Sequence, residues 1–144
     1  MKKITLFSDG SALGNPGPGG YGVILRYNDK EKELFGSEAH TTNNRMELKG
    51  VIEGLKALKQ PCEVDVISDS SYVVKGINEW LENWIKRDFK KVKNPDLWQE
   101  YREVSKLHKI NAIWVRGHDG HIENERCDTL ARNAAQEMKD AQKN

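Results

Sequence analysis

Lys3–Ser11, KITLFSDGS, constrains this chain more than any other stretch. Ile4, Thr5, Leu6 and Phe7 are consecutive residues that suit a strand. A short run of this kind fits a strand covered on both faces, as in the middle of an α/β sheet. Ser8, Asp9 and Gly10 follow. Asp9 is thus a carboxylate at or near one end of a central strand, where a charge is costly unless a cation or another partner compensates it. The plainer reading is an Asp-Gly turn after a strand. What joins Asp9 decides between the two.

The 144 residues suit one domain over 1–144. A chain of this size buries roughly 70% of its unfolded surface, enough for a proper core. Charged residues make up 31% and hydrophobic ones 37%, which predicts a soluble globular chain. The two cysteines, Cys62 and Cys127, are far apart and in no CxxC motif. They imply neither a disulfide framework nor a cysteine-rich zinc site, and they fit a reducing, cytoplasmic compartment. The apolar run after Lys2 and Lys3 is too short for a signal peptide. No segment approaches the ~20 apolar residues of a membrane span.

After Asp9, Leu13–Gly20 (LGNPGPGG) reads as a tight loop whose glycines fit no Walker or dinucleotide fingerprint. Tyr21–Tyr27 and Lys32–Ala39 read as strands joined by a turn at Asn28–Glu31, completing an antiparallel meander. Thr41, Thr42, Asn43 and Asn44 then offer helix N-caps. Leu48, Val51, Ile52, Leu55 and Leu58 follow at helical spacing, with Pro61 as terminator. Cys62–Ser68 is a fourth strand that closes on Asp69. Ser70–Ile77 is a short helix stopped or bent at Gly76, and Asn78–Trp84 continues helically into a basic segment, Lys86–Lys93. A helix from Pro95 to about Leu107, a strand over Ile110–Val115, a loop over Arg116–Ile122 and a helix over Asn124–Lys139 complete the chain before a polar tail. Strands first, then alternating helices and strands, predict a mixed sheet with helices on its faces.

Asp9 and Asp69 each close a strand. If those strands are adjacent and parallel, both carboxylates reach the same sheet edge, where ligands bind in such folds. Asp69 can instead cap the following helix. Glu47 lies on the flank of its helix's apolar stripe, able to reach over the sheet edge or to form a capping box with Asn44. Asp128 holds the matching place on the last helix, beside Cys127, Leu130, Ala131, Ala134 and Met138, and can instead pair with Arg132. Four clustered acids would resist ionisation. Hard divalent cations with oxygen ligands, Mg2+ or Mn2+, remove that conflict, and two such ions roughly 4 Å apart form a clamp for phosphodiester hydrolysis.

SDGSALGNPGPGGYG, TTNNRMEL, SDSSYV and RGHDGHIENERCDTLAR strongly resemble the type 1 ribonucleases H of bacteria. The resemblance runs from Lys3 to about Met138, in order and at the spacings of that family. It implies an α/β fold with a five-stranded mixed sheet, three antiparallel strands and two parallel additions, flanked by helices. It implies Mg2+-dependent endonucleolytic hydrolysis of the RNA strand of RNA–DNA hybrids, leaving a 5′-phosphate and a 3′-hydroxyl. Nothing in the sequence demands more than a monomer or calls for an obligate protein partner. The family's four metal-binding acids fall on Asp9, Glu47, Asp69 and Asp128, the set reached above from spacing. Its catalytic-loop histidine falls on His118, where an imidazole can move protons or help release product. A zinc HxxH pair of His118 with His121 has no further soft ligand nearby; His121 more simply caps or braces the loop. Two alternatives stay open: another nuclease of the same architecture, and a non-catalytic module that binds hybrids or double-stranded RNA.

A hybrid is recognised by its 2′-hydroxyls, which small polar side chains can read across a shallow minor groove. Asn15, Asn43 and Asn44 border Asp9 and Glu47, and the resemblance supports all three as hybrid contacts. Thr42 resembles a phosphate-binding position on the DNA strand. Ser71 is a further candidate contact, standing where a glutamine often occurs. Turn chemistry for Asn15 and capping for Thr42 and Asn43 can hold together with those roles. A second surface, Trp80–Pro95, carries Lys86, Arg87, Lys90, Lys91 and Lys93 against Glu82 and Asp88, a net +3 in a chain of net +1. Concentrated basic charge grips phosphate backbones. Trp80 and Trp84 share a helical face, so one can pack while the other stacks on a sugar or base. The family's name for this feature is the basic protrusion, or handle. Here the stretch between Trp84 and Trp98 is a few residues shorter than in the best-known bacterial members. The shortened handle predicts weak but salt-sensitive hybrid binding: KM for a hybrid should rise steadily with added KCl, and a KM indifferent to salt would rule the handle out as a phosphate contact.

Overall fold

A computed structural model of the chain describes residues 1–117 and 121–143. Strand β1 (Lys2–Ala12) pairs antiparallel with β2 (Gly17–Tyr27), which pairs antiparallel with β3 (Lys30–Thr41). All three outrun the predicted strands. The Gly-Pro stretch contracts to a loop over 13–16, because Gly19 and Gly20 already pair with Ala12 and Ser11. Helix α1 (Asn43–Lys56) follows, with Thr42 as its cap, and ends at Ala57, before Pro61. Strand β4 (Cys62–Ser68) has the predicted bounds and runs parallel to β1, from Lys2↔Cys62 to Phe7↔Ile67. Helix α2 (Ser71–Lys75) passes through a π-helical turn, Gly76–Trp80, into α3 (Leu81–Lys86). Helix α4 (Pro95–Ser105), strand β5 (Lys109–Trp114), parallel to β4, and α5 (Ile122–Ala141) complete the order. The sheet runs β3-β2-β1-β4-β5, so β1 is central, as its apolar run requires.

Alternation along β1 and β4 sends side chains to two apolar layers. On one face Leu6, Val23, Val64 and Val66 pack under α1, whose Leu48, Val51, Ile52 and Leu55 are buried. Trp98 and Tyr101 bring α4 into the same layer. On the other face Phe7, Ile24 and Ile67 meet Cys127 of α5. Arg126 of α5 bridges to Glu31 and Glu33 of β3, each at 2.7 Å, and fixes the helix over the sheet edge. Among the described residues, no helix is long and apolar enough to cross a membrane.

The basic segment is held by an apolar anchor that composition alone does not reveal. Past α3 the chain turns through left-handed backbone at Asp88, Phe89, Lys91 and Asn94. Phe89 N–H donates to Trp84 O at 2.8 Å, and the Phe89 ring is 6% exposed within the main core. Trp84 is half-buried between Trp98, 5.1 Å away, and Trp80, 5.7 Å away; Trp80 is 39% exposed. The handle's lysines are therefore carried on an aromatic plug. Phe89→Ala should cost about 3 kcal/mol in urea unfolding, as truncation of a buried ring does, while Lys90→Ala should stay within about 0.5 kcal/mol. Equal effects of the two would show that the ring does not anchor the handle.

Candidate active site

The register of β1 against β4 ends at Phe7↔Ile67; two residues further each chain bears an aspartate, Asp9 and Asp69. Asp9 also pairs with Gly22 of β2. A Cβ on Gly22 would collide with the backbone oxygen of Cys127, so α5 rests directly on the sheet at this point. The next residue of α5 is Asp128. Glu47 arrives from α1. Gly10 N–H donates to Asp9 Oδ1 at 2.9 Å and to Glu47 Oε1 at 3.0 Å, joining the two carboxylates through one amide. Asp9, Glu47 and Asp69 each place an oxygen within 4.8 Å of the others. Asp128 lies outside this trio. It lines a cleft of about 120 Å³ together with Asp9 and Asp69.

Burial shifts two members of the trio, Asp9 and Glu47. Asp9 is 7% exposed and Glu47 9%. Desolvation pushes Asp9 up to about 6; Glu47 hydrogen bonding and the Gly10 amide pull against it, and Asp69 and Asp128 add repulsion. Glu47 is raised well above its ordinary value, first by burial, then by its contact with Asp9 and the charges of Asp9 and Asp69. Its Oε2 is buried without a donor. Both shifts favour the protonated carboxyls, and a divalent ion is what the donor set suits: oxygen ligands, crowded negative charge, and a buried carboxylate oxygen with no hydrogen-bond partner among the described residues.

The competing structural roles divide clearly. Thr42 Oγ1 accepts from Arg45 N–H at 3.3 Å and caps α1, so Glu47 is not part of a capping box with Asn44. Ser70 Oγ accepts from Val73 N–H at 3.2 Å and caps α2, so Asp69 is not the cap. Asp128 does form the ion pair with Arg132, at 2.9 Å, while still facing the cleft. Asn15 and Asn43 do structural work: Asn43 Oδ1 accepts from Ala12 N–H at 2.6 Å, and Asn15 Oδ1 from Asn43 N–H at 2.9 Å. Asn43, Asn44 and Ser71 line an open groove with Gly10, Glu47 and Asp69. Lys86, Arg87, Lys90 and Lys91 surround a separate shallow depression on the handle. His118 lies outside the described residues.

Several lining residues escape a reading of the sequence. Arg116, Asn124 and Glu125 face the same cleft as the acids. His121, read from the sequence as capping or bracing the loop, lines the cleft too and occupies the N-cap position of α5 without a side-chain capping hydrogen bond. Tyr72 lines the groove, its hydroxyl oxygen accepting from Trp98 Nε1 at 2.9 Å and Asn94 Nδ2 at 3.1 Å. Periodicity marks Tyr72 only as an aromatic within a short helix; its place in the SDSSYV motif was the available signal. A roomier cavity of about 470 Å³, among Lys2, Tyr27, Leu58 and Cys62, lies at the opposite end of β1 and β4 from the carboxylates.

The sequence model of the RNase H family matches residues 1–136. A protein of Sulfurovum sp. (strain NBC37-1) named Ribonuclease H is 70% identical over 96% of this chain and 94% of its own. Ribonuclease HI of Helicobacter pylori (strain ATCC 700392 / 26695) is 61% identical over 94% of this chain and 95% of its own. The crystal structure of LC9-RNase H1, described as a type 1 RNase H with the type 2 active-site motif, superposes with a TM-score of 0.87 at 34% identity, covering 95% of this chain and 74% of that one. The chain belongs to the RNase H family. It is accordingly a hydrolytic ribonuclease, and the family's reaction is cleavage of the RNA strand in RNA–DNA hybrids.

The raised carboxyl groups carry a sign. Between the ordinary aspartate value of 3.8 and about 6, the folded chain holds more protons at Asp9 than the unfolded chain does. Stability conferred by this protonation is complete below that window and is lost as pH rises through it. With EDTA present, Tm should fall as pH rises from about 4 to about 6. Glu47→Gln, whose amide can donate to Asp9, should raise the metal-free stability at pH 8 by about 1–3 kcal/mol. A variant less stable than the parent under those conditions would contradict the account of the cluster.

Proposed function

We propose that Asp9, Glu47, Asp69 and Asp128 hold two Mg2+ ions, with Mn2+ able to substitute, and that the chain cleaves hybrid RNA endonucleolytically to 5′-phosphate and 3′-hydroxyl ends. The observation that carries this reading is the convergence of three carboxylates from β1, α1 and the end of β4 within 4.8 Å. When bound, paired divalent ions supply an activated water and neutralise charge on the leaving oxygen. The chain's own part is preparation. The Gly10 amide holds Asp9 and Glu47 side by side. Their shared proton must leave as metal binds, so affinity for metal rises with pH through the range where Asp9 titrates, about 6.

The groove beside the trio is lined by Asn43, Asn44 and Ser71, small polar groups suited to 2′-hydroxyls and phosphate oxygens. Asn15 and Thr42 brace the loop and helix start that present them. The handle contributes exposed Trp80 for stacking and Lys86, Arg87, Lys90 and Lys91 for phosphate charge, while Trp84 is the packing member of the aromatic pair. His118 is assigned to proton transfer or product release. The reading is completed by a monomeric enzyme working in the cytoplasm, a compartment that suits its two free, buried thiols.

A labelled RNA–DNA hybrid with Mg2+ tests the proposal beside Asp9→Asn. Wild type should cut the RNA strand internally; the variant should bind the hybrid and lose at least about 100-fold in kcat, as loss of a metal-catalysis ligand does. Binding without cleavage by both proteins would favour a binding module, and equal cleavage of single-stranded DNA would favour a different nuclease.

A further inference from the structure

The β4–β5 pairing runs from Glu63↔Lys109 to Ser68↔Trp114 and stops one residue short of Asp69. Val115 N–H donates to Ser68 O at 3.0 Å. The Asp69 carbonyl lies beyond these backbone rungs. The Trp114 side chain supplies the next one, its indole Nε1–H donating to Asp69 O at 3.2 Å. Three residues on, Gly117 passes the other end of the same aspartate. A Cβ there would lie 3.1 Å from Asp69 Oδ2, tighter than ordinary van der Waals contact. Gly117 is not in the left-handed region, so what glycine provides here is room.

Trp114 is 50% exposed, and its neighbour Ile113 is 37% exposed. Burial does not account for the largest side chain at the last position of an edge strand. Its hydrogen bond does. A carboxylate that must meet a cation at one place binds it more tightly when its main chain is already fixed, because less freedom is lost on binding.

We infer that Trp114 and Gly117 are positioning residues for Asp69: the indole N–H fixes its main chain, and Gly117 leaves its carboxylate room beside the Asp9–Glu47 pair. The inference rests on the proposed metal role of Asp69. It adds a support from β5 and the loop after it, elements that contribute none of the four acids.

Trp114→Phe keeps the ring and removes the donor; Gly117→Ala keeps the donor and removes the room. Mn2+ binding to the substrate-free protein, measured by titration calorimetry, should weaken about five- to tenfold in each. Activity at low Mg2+ should fall alike and return at high Mg2+, with KM for the hybrid at saturating Mg2+ unchanged and far-UV circular dichroism as in wild type. Unaltered Mn2+ affinity in both variants, or a loss of kcat that high Mg2+ fails to repair, would overturn the inference. Asp69→Asn separates the two levels: if it binds Mn2+ as wild type does, the metal role itself fails, and the positioning role with it.

Discussion

The cost of taking two neighbouring carboxylates out of water is the constraint under which this fold is assembled. Asp9 sits on the central strand, where both faces are covered, and Glu47 is almost as inaccessible. Among the described residues neither has a basic side chain hydrogen-bonded to it; their common partner is one backbone amide. A protein selected for stability alone would place a cation or an apolar residue there. Here the unfavourable charge is kept, and the two apolar layers on either side of the sheet must outweigh it. The larger layer, under α1 and α4, carries most of that burden.

The positioning of the acids is shared unequally among the elements. Asp9 and Asp69 need only the parallel register of β1 and β4, the most regular feature of the chain. Glu47 depends on where α1 begins, which Thr42 and the Asn15–Asn43–Ala12 links define. Asp128 depends on how closely α5 approaches the sheet, which is decided at Gly22 and braced by Arg126. Asn43 thus sets the start of the helix that carries Glu47 as well as lining the groove. The handle is coupled to the same helix: Arg45 of α1 reaches Asp96 at 2.7 Å and Asn94 at 3.2 Å, and Asn94 bonds to Tyr72.

How much of this the sequence discloses depends on how local the cause is. β4 is legible to the residue because Cys62, Val64, Val66 and Ser68 alternate inward along it. Asp69 is legible because it follows the end of β4, and Glu47 and Asp128 because each flanks an apolar stripe, whereas Asp9 stands inside β1, which runs on to Ala12. The first half of β2 is hidden, since glycine and proline argue against a strand and only the pairing with β1 and β3 overrides them. The rival roles of Glu47 and Asp69 turn on which hydroxyl reaches which amide, and Thr42 and Ser70 settle that in three dimensions. The Trp114 bond joins residues 45 apart, and nothing in their local sequence announces it.

The order of the chain gives the cleft a history. Its first carboxylate belongs to the earliest strand, and its far wall belongs to α5, the last helix. A polypeptide still being synthesised carries Asp9 long before Cys127 can settle on Gly22. Until then the sheet's second face is bare and the cleft has one side. The cleft therefore gains its second side only when the segment that carries Asp128 has folded onto the sheet.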